Sequence, residues 1–305
     1  MVWFVSSAAW AADSLRYIDH PLAGRIFDVN ASAFISEETL MERLRMTRYA
    51  LVGEKHDNSE HHSLENRILQ TIGGGNTRVV FEMLDESQSA GINLLSSKDS
   101  SEGIRQKLQW NERSWPWEDY GPLVHAAVAT GSQVVAGNID RKRIRALYEG
   151  NHGELEANPS FASLDVLDPL ERESIREQLF VSHCEMMPRE ALDPMITIQA
   201  ARDASMAHAM LHDGPNKGRG QALLVAGGFH VRHDIGVPRH LRYHDPEAEV
   251  TVIQLVEVQP DISTPSGYAA VSPDRANYVW FTPAAPEEDY CAGFHAKKSP
   301  STSEK

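Results

Sequence analysis

The feature that most constrains this chain is a set of short apolar runs that do not alternate. "YALV" (49–52), "RVVFEM" (78–83), "QVVAGN" (133–138) and "ALLVAG" (222–227) are almost continuous in apolar residues, with valine in each. A strand with one wet face alternates apolar and polar positions; a strand covered on both faces does not. "VTVIQLVEV" (250–258) makes a fifth strand. Segments with helical spacing separate the runs. In "SEHHSLENRILQTIGGG", Leu64, Ile68 and Ile72 recur every four residues before a stop at Gly73. "GPLVHAAVATG" (121–131) is a short amphipathic helix. "LDPLERESIREQLFVSHC" opens with Asp168, Pro169 and Glu171 in a capping-box pattern. "MITIQAARDASMAHAMLHDG" (195–214) is a long helix ending at Gly214. This order predicts an α/β fold: a mostly parallel sheet flanked by helices, with right-handed crossovers. The regions of about 84–119 and 143–194 read as helical insertions forming a cap.

Composition narrows the function classes. The 305 residues carry a formal charge of −14, which argues against a general nucleic-acid binder. A local basic patch for a small anion remains compatible with that charge. Cys184 and Cys291 are too few for a disulfide framework and fit no zinc motif, but an oxidising compartment would allow one bridge. No apolar run is long enough to span a membrane. Residues 1–24 read as a signal or N-terminal segment. "VWFVSSAAWAADS" has a small-x-small site at Ala9-Trp10-Ala11 but no positive flank, which suggests a start lying upstream. No lipid-attachment cysteine is near it. The main domain is expected over 25–260, with a C-terminal extension over 261–305 whose polar tail, "CAGFHAKKSPSTSEK", reads as disordered.

The chemistry-bearing residues collect where strands end. Two runs lead into Gly-x-x-His: Gly53-Glu54-Lys55-His56 and Gly227-Gly228-Phe229-His230. Ligands of open α/β sheets bind beyond the carboxyl ends of the strands. Glycine lets the backbone turn sharply or come close to a ligand. Glu82, inside "VVFEML", is a carboxylate among apolar residues and needs a partner, for which Arg141, Arg202 or a histidine is available. Glu54, His56, Glu82 and His230 are therefore expected to form one cluster. Such residues suit a metal, a general base or a polar cofactor group. His61 and His62 read as a solvated helix face, and His233 and Asp234 stand evenly between site and loop. "WNERSWPWEDYGPL" (110–123) is either core packing or an aromatic wall for a flat ligand. "FVSHCEMMPREALDPM" (180–195) is either a pocket wall of soft groups or a turn between helices. Gln199, Arg202, Asp203 and Met206 share one helix face and form a plausible polar wall.

The ordered motifs "LVGEKHDNSEHH", "VVFEML", "WPWEDYGPLVHAA", "VVAGNIDR", "HCEMMP", "QAARDASMA" and "VAGGFHVRHDIGVPRHL" resemble the ChaN family, the haem-binding uptake branch of the Tiki superfamily. The resemblance covers roughly residues 25–260. It implies an α/β fold, a periplasmic or outer-membrane-associated location and haem binding for iron uptake. It also implies a homodimer holding two haems face to face with tyrosine on iron, and contact with the envelope's haem-uptake machinery. Tyr120 is the first candidate for that tyrosine and Tyr148 the second. Arg141 and Arg232 are candidates for the propionates, with His56, His230 and His183 as further haem contacts. The wider superfamily includes metal-dependent proteases and esterase-like hydrolases. The alternative is accordingly a hydrolase in which Glu54, His56, Glu82 and His230 bind a divalent metal or activate water directly.

Overall fold

The protein is described by a computed structural model covering residues 15–151, 153–156, 158–211, 220–287, 289 and 291. The five apolar runs all form strands: β3 (Tyr49–Glu54), β4 (Thr77–Asp85), β5 (Gln133–Asn138), β6 (Gln221–Gly227) and β7 (Val250–Glu257). Three shorter strands were not anticipated: β1 (Ile26–Asp28), β2 (Ala33–Ile35) and β8 (Tyr278–Thr282). Among the described residues the eight strands make one sheet in the order β2-β1-β8-β7-β3-β6-β4-β5. The run from β8 to β5 is parallel, and β1 pairs antiparallel with both β8 and β2. β8 lies beyond residue 260 yet sits between β7 and β1, so the sheet reaches into the segment expected to be an extension.

The absence of alternation in the strands follows from cover on both faces. Ala50, Val52, Val79, Phe81, Leu223 and Val225 point to one side, packing with α1 (Glu37–Met46), α2 (Ser59–Ile72) and α5 (Trp117–Ala129). Tyr49, Leu51, Val80, Ala222, Leu224 and Val252 point to the other, where α9 (Asp193–Met210) supplies Met206, Ala207 and Met210 and α10 (Val237–His244) supplies Leu241. Strand parity therefore assigns Glu54 to the α2/α5 face and Glu82 to the α9 face.

Local signals explain the helix ends. Asn58 caps α2 by accepting from the Glu60 and His61 amides. α8 (Pro169–Ser182) carries the expected capping box, with Asp168 and Glu171 each accepting from the other's backbone amide. α5 starts at Trp117, ahead of Pro122, rather than at residue 121. α9 closes at Met210, and Gly214 lies outside the described residues. So do residues 1–14, with the small-x-small site, and most of the C-terminal tail.

The two inserted regions pack against different partners. α3 (Ser89–Ile92) and α4 (Ser101–Lys107) lie in the first, which adds Ile104, Leu108 and Trp110 to the α2/α5 core. The second holds α6 (Arg141–Tyr148), α7 (Gly153–Glu156) and α8. Its Leu147, Phe161, Leu167 and Ile175 cover the outer side of α9. The turn after α8 has positive φ at Cys184 (58°) and Glu185 (55°), and a disulfide joins Cys184 to Cys291. "FVSHCEMMPREALDPM" thus holds a cross-linked turn between α8 and α9.

That bridge spans 107 residues of sequence, and closing so long a loop restricts the unfolded chain strongly. The double variant C184A/C291A is expected to lose about 2–4 kcal/mol in urea unfolding. Thiol titration of the denatured, unreduced protein should find no free cysteine.

Candidate functional site

The two Gly-x-x-His motifs lie side by side. β3 pairs with β6 so that Gly53 faces Ala226 and Glu54 faces Gly227. β4 flanks β6 on its other side, with Phe81 opposite Val225. Three adjacent strands thus deliver Glu54 and His56, His230, and Glu82 to one edge. The glycines serve close approach rather than a turn, since neither Gly53 nor Gly227 has positive φ. A Cβ on Gly53 would lie 2.4 Å from Val231 Cγ2 and 2.8 Å from Gly228 Cα. A Cβ on Gly227 would lie 2.9 Å from His56 Nε2. Beside it, the β4–β5 register shifts between Phe81 and Asp85, and Asn138 donates to the Glu82 carbonyl (3.0 Å). Irregular pairing next to a site re-aims the side chains there.

The cluster straddles the sheet. On the α2/α5 face, His56 Nδ1 and the Tyr120 hydroxyl donate to Glu54 Oε1 (2.8 and 3.0 Å), and His62 Nε2 lies 3.0 Å from Oε2. On the α9 face, the Gly227 amide donates to Glu82 Oε2 (2.8 Å) and His230 Nε2 stands 3.4 Å from Oε1. His230 Nδ1 donates to Asp203, and the Gln199 side-chain amide is 2.9 Å from the same nitrogen. His56 Nε2, 3.9 Å from Glu82 Oε2, connects the two halves. The side chains of Glu54, Glu82 and His230 are buried, while 42% of the His56 side chain is exposed. His56 is thus the member of this group that a ligand can touch. Trp115 packs edge-on against it, with ring centroids 4.9 Å apart.

Burial and pairing pull these groups in opposite directions. Burial alone would raise Glu54, but the hydrogen bond from His56 and the contact with His62 outweigh it and hold the carboxyl at about 2. Glu82 likewise stays well below the usual carboxylate range, because the charges of His230 and His56 and the Gly227 amide outweigh its burial. Burial would lower His230, yet Glu82 and Asp203 push it up to about 10, and His56 is raised in the same way by Glu54 and Glu82. Asp203 is the weakest acid of the set, raised to about 6 by burial despite His230. The pairs therefore favour the ionised forms of Glu54, Glu82, His56 and His230 in a largely apolar environment. Read as metal ligands, Glu54, His56, Glu82 and His230 do not converge on one point. Their donor atoms face one another, and among the described residues no three His, Cys, Asp or Glu side chains form a metal-binding group.

The other candidate residues are placed as follows. Tyr120 is buried in the core, 1% exposed, and its hydroxyl is committed to Glu54. Burial and the Glu54 charge raise its phenol far above the ordinary value. It braces the cluster and is unsuited to ligate iron, contrary to the expectation. Tyr148 is 54% exposed at the end of α6. Arg141 borders a surface cleft of about 560 Å³ together with Trp110, Arg113 and Lys142. Arg232 instead pairs with Asp234 and covers the Phe229 ring. His183 bonds back to the Leu179 carbonyl, beside the disulfide. Neither Arg232 nor His183 borders the cleft. His233 bonds Asn277 and braces the β7–β8 side. On the α9 wall, Gln199 and Asp203 reach His230, whereas Met206 belongs to the core. In the tryptophan segment, Trp110 packs on Trp117 in the core, as one of the two expectations had it, and also borders the cleft.

Three buried groups escaped the sequence reading. His61 is not solvated. It accepts from the Lys55 amide and meets the Thr282 hydroxyl, and burial lowers it to about 3. His62 faces Glu54, and Glu65, one turn further along α2, is fully buried with both oxygens unpartnered. Burial and the Glu54 charge raise Glu65 well above the usual carboxylate value. The signal was available, because residues 61, 62, 65, 68, 69 and 72 trace one face of α2 that includes the expected apolar stripe.

An α/β protein with a carboxylate–histidine cluster astride the carboxyl edge of a parallel sheet is the class these features define. Residues 40–241 match a family model described as "Haem-binding uptake, Tiki superfamily, ChaN", and the chain belongs to that family. Haem is the ligand after which the family is described. Among solved structures, the chain is similar to ChaN of Campylobacter jejuni, described by its cofacial haem binding. Identity is 23% and the TM-score 0.67, covering 84% of this chain and 95% of that one. The type III effector HopBA1 shares 12% identity at a TM-score of 0.41, over 81% of this chain and 93% of that one. RRSP, a MARTX toxin effector domain from Vibrio vulnificus, shares 12% at 0.40, over 74% and 36% respectively. These last two likenesses are too distant to bear on function. No curated protein matches the chain.

The pairing has a pH signature. The stability contributed by His230 is fully present below about 6.5, its ordinary value, and is lost as pH rises through about 10. The folded protein should therefore weaken steadily between those limits, with His56 adding in the same sense. Urea midpoints across this range should trace the decline, and His230→Gln should flatten it.

Proposed function

We propose that this protein binds haem for uptake in the bacterial cell envelope, in the cleft bordered by Trp110, Arg113, Arg141 and Lys142, with Tyr148 as the iron ligand. The observation that carries this reading is the layout of α6. Arg141, Ile144 and Tyr148 share one helix face at three- and four-residue steps. Arg141 lines the cleft, and the Tyr148 ring stands free at the same face's far end. The residues present fit the group. The Trp110 indole suits a flat macrocycle, Arg113, Arg141 and Lys142 suit its carboxylates although Asp85, Glu112 and Asp140 share the lining, and an exposed phenol can reach a ferric centre where the buried Tyr120 cannot. The cleft's volume lies within the ordinary range for ligand sites, which run from about 300 to 1,000 Å³.

An open surface site covers one face of such a ligand, so a second copy of the chain is the natural cover for the other. The Cys184–Cys291 bridge supports an oxidising compartment such as the periplasm. Among the described residues no helix is long and apolar enough to cross a membrane. Haemin titrated into the pure protein should give a Soret band distinct from free haemin, and Tyr148→Phe should weaken or shift it while Tyr120→Phe leaves it in place. A band that ignores Tyr148→Phe would remove that tyrosine from the iron.

A second reading rests on a different observation. The exposed His56 is held between two buried carboxylates and carries a raised proton affinity. That arrangement equips it as a general acid for ester or peptide hydrolysis without a metal. Under this reading, p-nitrophenyl ester turnover should fall at least a hundredfold in His56→Asn and be untouched by Tyr148→Phe. Equal turnover in wild type and His56→Asn would dispose of it.

A further inference from the structure

Behind the cleft lies an inner chamber of about 130 Å³. It shares Asp85, Gln88, Asn111 and Arg141 with the cleft and continues inward to Ser114, Trp115, Arg202 and Glu82. Its volume admits a carboxylate-sized group and excludes a macrocycle. The polar lining is unevenly satisfied. Asn138 donates to the Glu82 carbonyl and accepts from the Ile139 amide. Gln88 donates to the Leu108 carbonyl and accepts from the Asp85 amide. Glu82 is paired with His230 and the Gly227 amide, and Asp85 accepts from Ser87. The two guanidinium groups differ. Arg202 projects from α9 with its Nε buried and without a hydrogen-bond partner. Neither Arg202 nor Arg141 makes an ion pair among the described residues. The Ser114 hydroxyl accepts from Asn111, which leaves its proton free to donate.

A buried donor left without a partner costs free energy, and two unpaired guanidinium groups around a small chamber suit a planar oxyanion held by forked N–H donors. We infer that this chamber is an oxyanion subsite: Arg202 and Arg141 hold the carboxylate, or equivalent anionic arm, of a ligand whose body occupies the outer cleft. Two carboxylates also border the chamber: His230 and the Gly227 amide offset the charge of Glu82, while Asp85 accepts from the Ser87 amide and hydroxyl. The bound arm would lie against Trp115, which separates it from His56. The inference deepens the proposed haem function by naming what the inner wall recognises, but the chamber's chemistry does not require haem. A small free carboxylate or phosphate would use the same donors.

The experiment has two arms. In the first, haemin and haemin dimethyl ester are titrated into the wild-type protein and followed at the Soret band. The subsite predicts at least tenfold weaker binding of the ester. In the second, acetate and inorganic phosphate are titrated by calorimetry into wild type, Arg202→Gln and Arg202→Lys. Measurable binding is expected for the wild type, at least tenfold loss in Arg202→Gln, and partial recovery in Arg202→Lys. Circular dichroism of each variant checks the fold, and the wild-type arm stands without any variant. If haemin and its ester bind equally and Arg202→Gln binds the small anions as wild type does, the subsite is wrong while haem binding survives. If neither porphyrin binds but the small anions do so through Arg202, the haem reading fails and the subsite stands. Absence of binding by all four probes overturns both.

Discussion

Two carboxylates buried at the end of an apolar parallel sheet set the terms for much of this molecule. Taking a charge of that kind out of water costs several kcal/mol unless partners replace the lost hydration. For Glu82 the replacement is a backbone amide from Gly227 and the side chains of His230 and His56. For Glu54 it is His56, His62 and the Tyr120 hydroxyl. Each partner imposes a further demand. The Gly227 position must lack a side chain, because His56 occupies that space. β3 and β6 must be neighbours in one fixed register, because a slip of one residue would turn the slipped strand's motif to the wrong face. α9 must present an acid to the far side of His230, and Asp203 does so.

Strand parity divides the cluster. Glu54 and Glu82 sit on adjacent regions of the edge but point to opposite faces of the sheet. Each gathers its own helix, α2 with α5 on one side and α9 on the other. His56 reaches past the edge and faces both acids while keeping part of its ring in solvent. A group so placed responds to changes on either layer. Its contact with Trp115 extends that link to the wall of the inner chamber. The cluster and the cleft therefore meet at the inner chamber, which both Glu82 and Trp115 line. The ligand-binding reading rests on the cleft and the exposed Tyr148, the hydrolytic reading on His56 and its two acids, so variants at Tyr148 and His56 tell them apart.

Much of the fold was legible in the chain, for a simple reason. Strands buried on both faces are written as unbroken apolar runs, and the helices between them carry local stops and caps such as Asp168–Glu171 and Gly73. β8 was harder, because "YVWFT" is short and lies after a long irregular stretch. β1 and β2, at three residues each, fall below what periodicity can resolve. Their pairing depends on contacts with distant strands rather than on their own composition. Cys184 and Cys291 announced that a bridge was available, but only the tertiary structure brings them together.

The sequence by itself determined that Glu54, His56, Glu82 and His230 stand at strand ends, because glycine and a change from apolar to polar mark those ends. It could also say that Glu82 needed a partner, since the cost of burying a carboxylate does not depend on the fold. Only the tertiary structure decided which partners, because they come from α2, α5 and α9, far away along the chain. It buried His61 and His62, which read in sequence as a solvated helix face. It also gave the two tyrosines opposite surroundings. Both are aromatic residues near a helix end in sequence, but Tyr120 packs inward against Glu54 while Tyr148 faces solvent. Side-chain burial is a property of what a helix packs against, and no single segment records that.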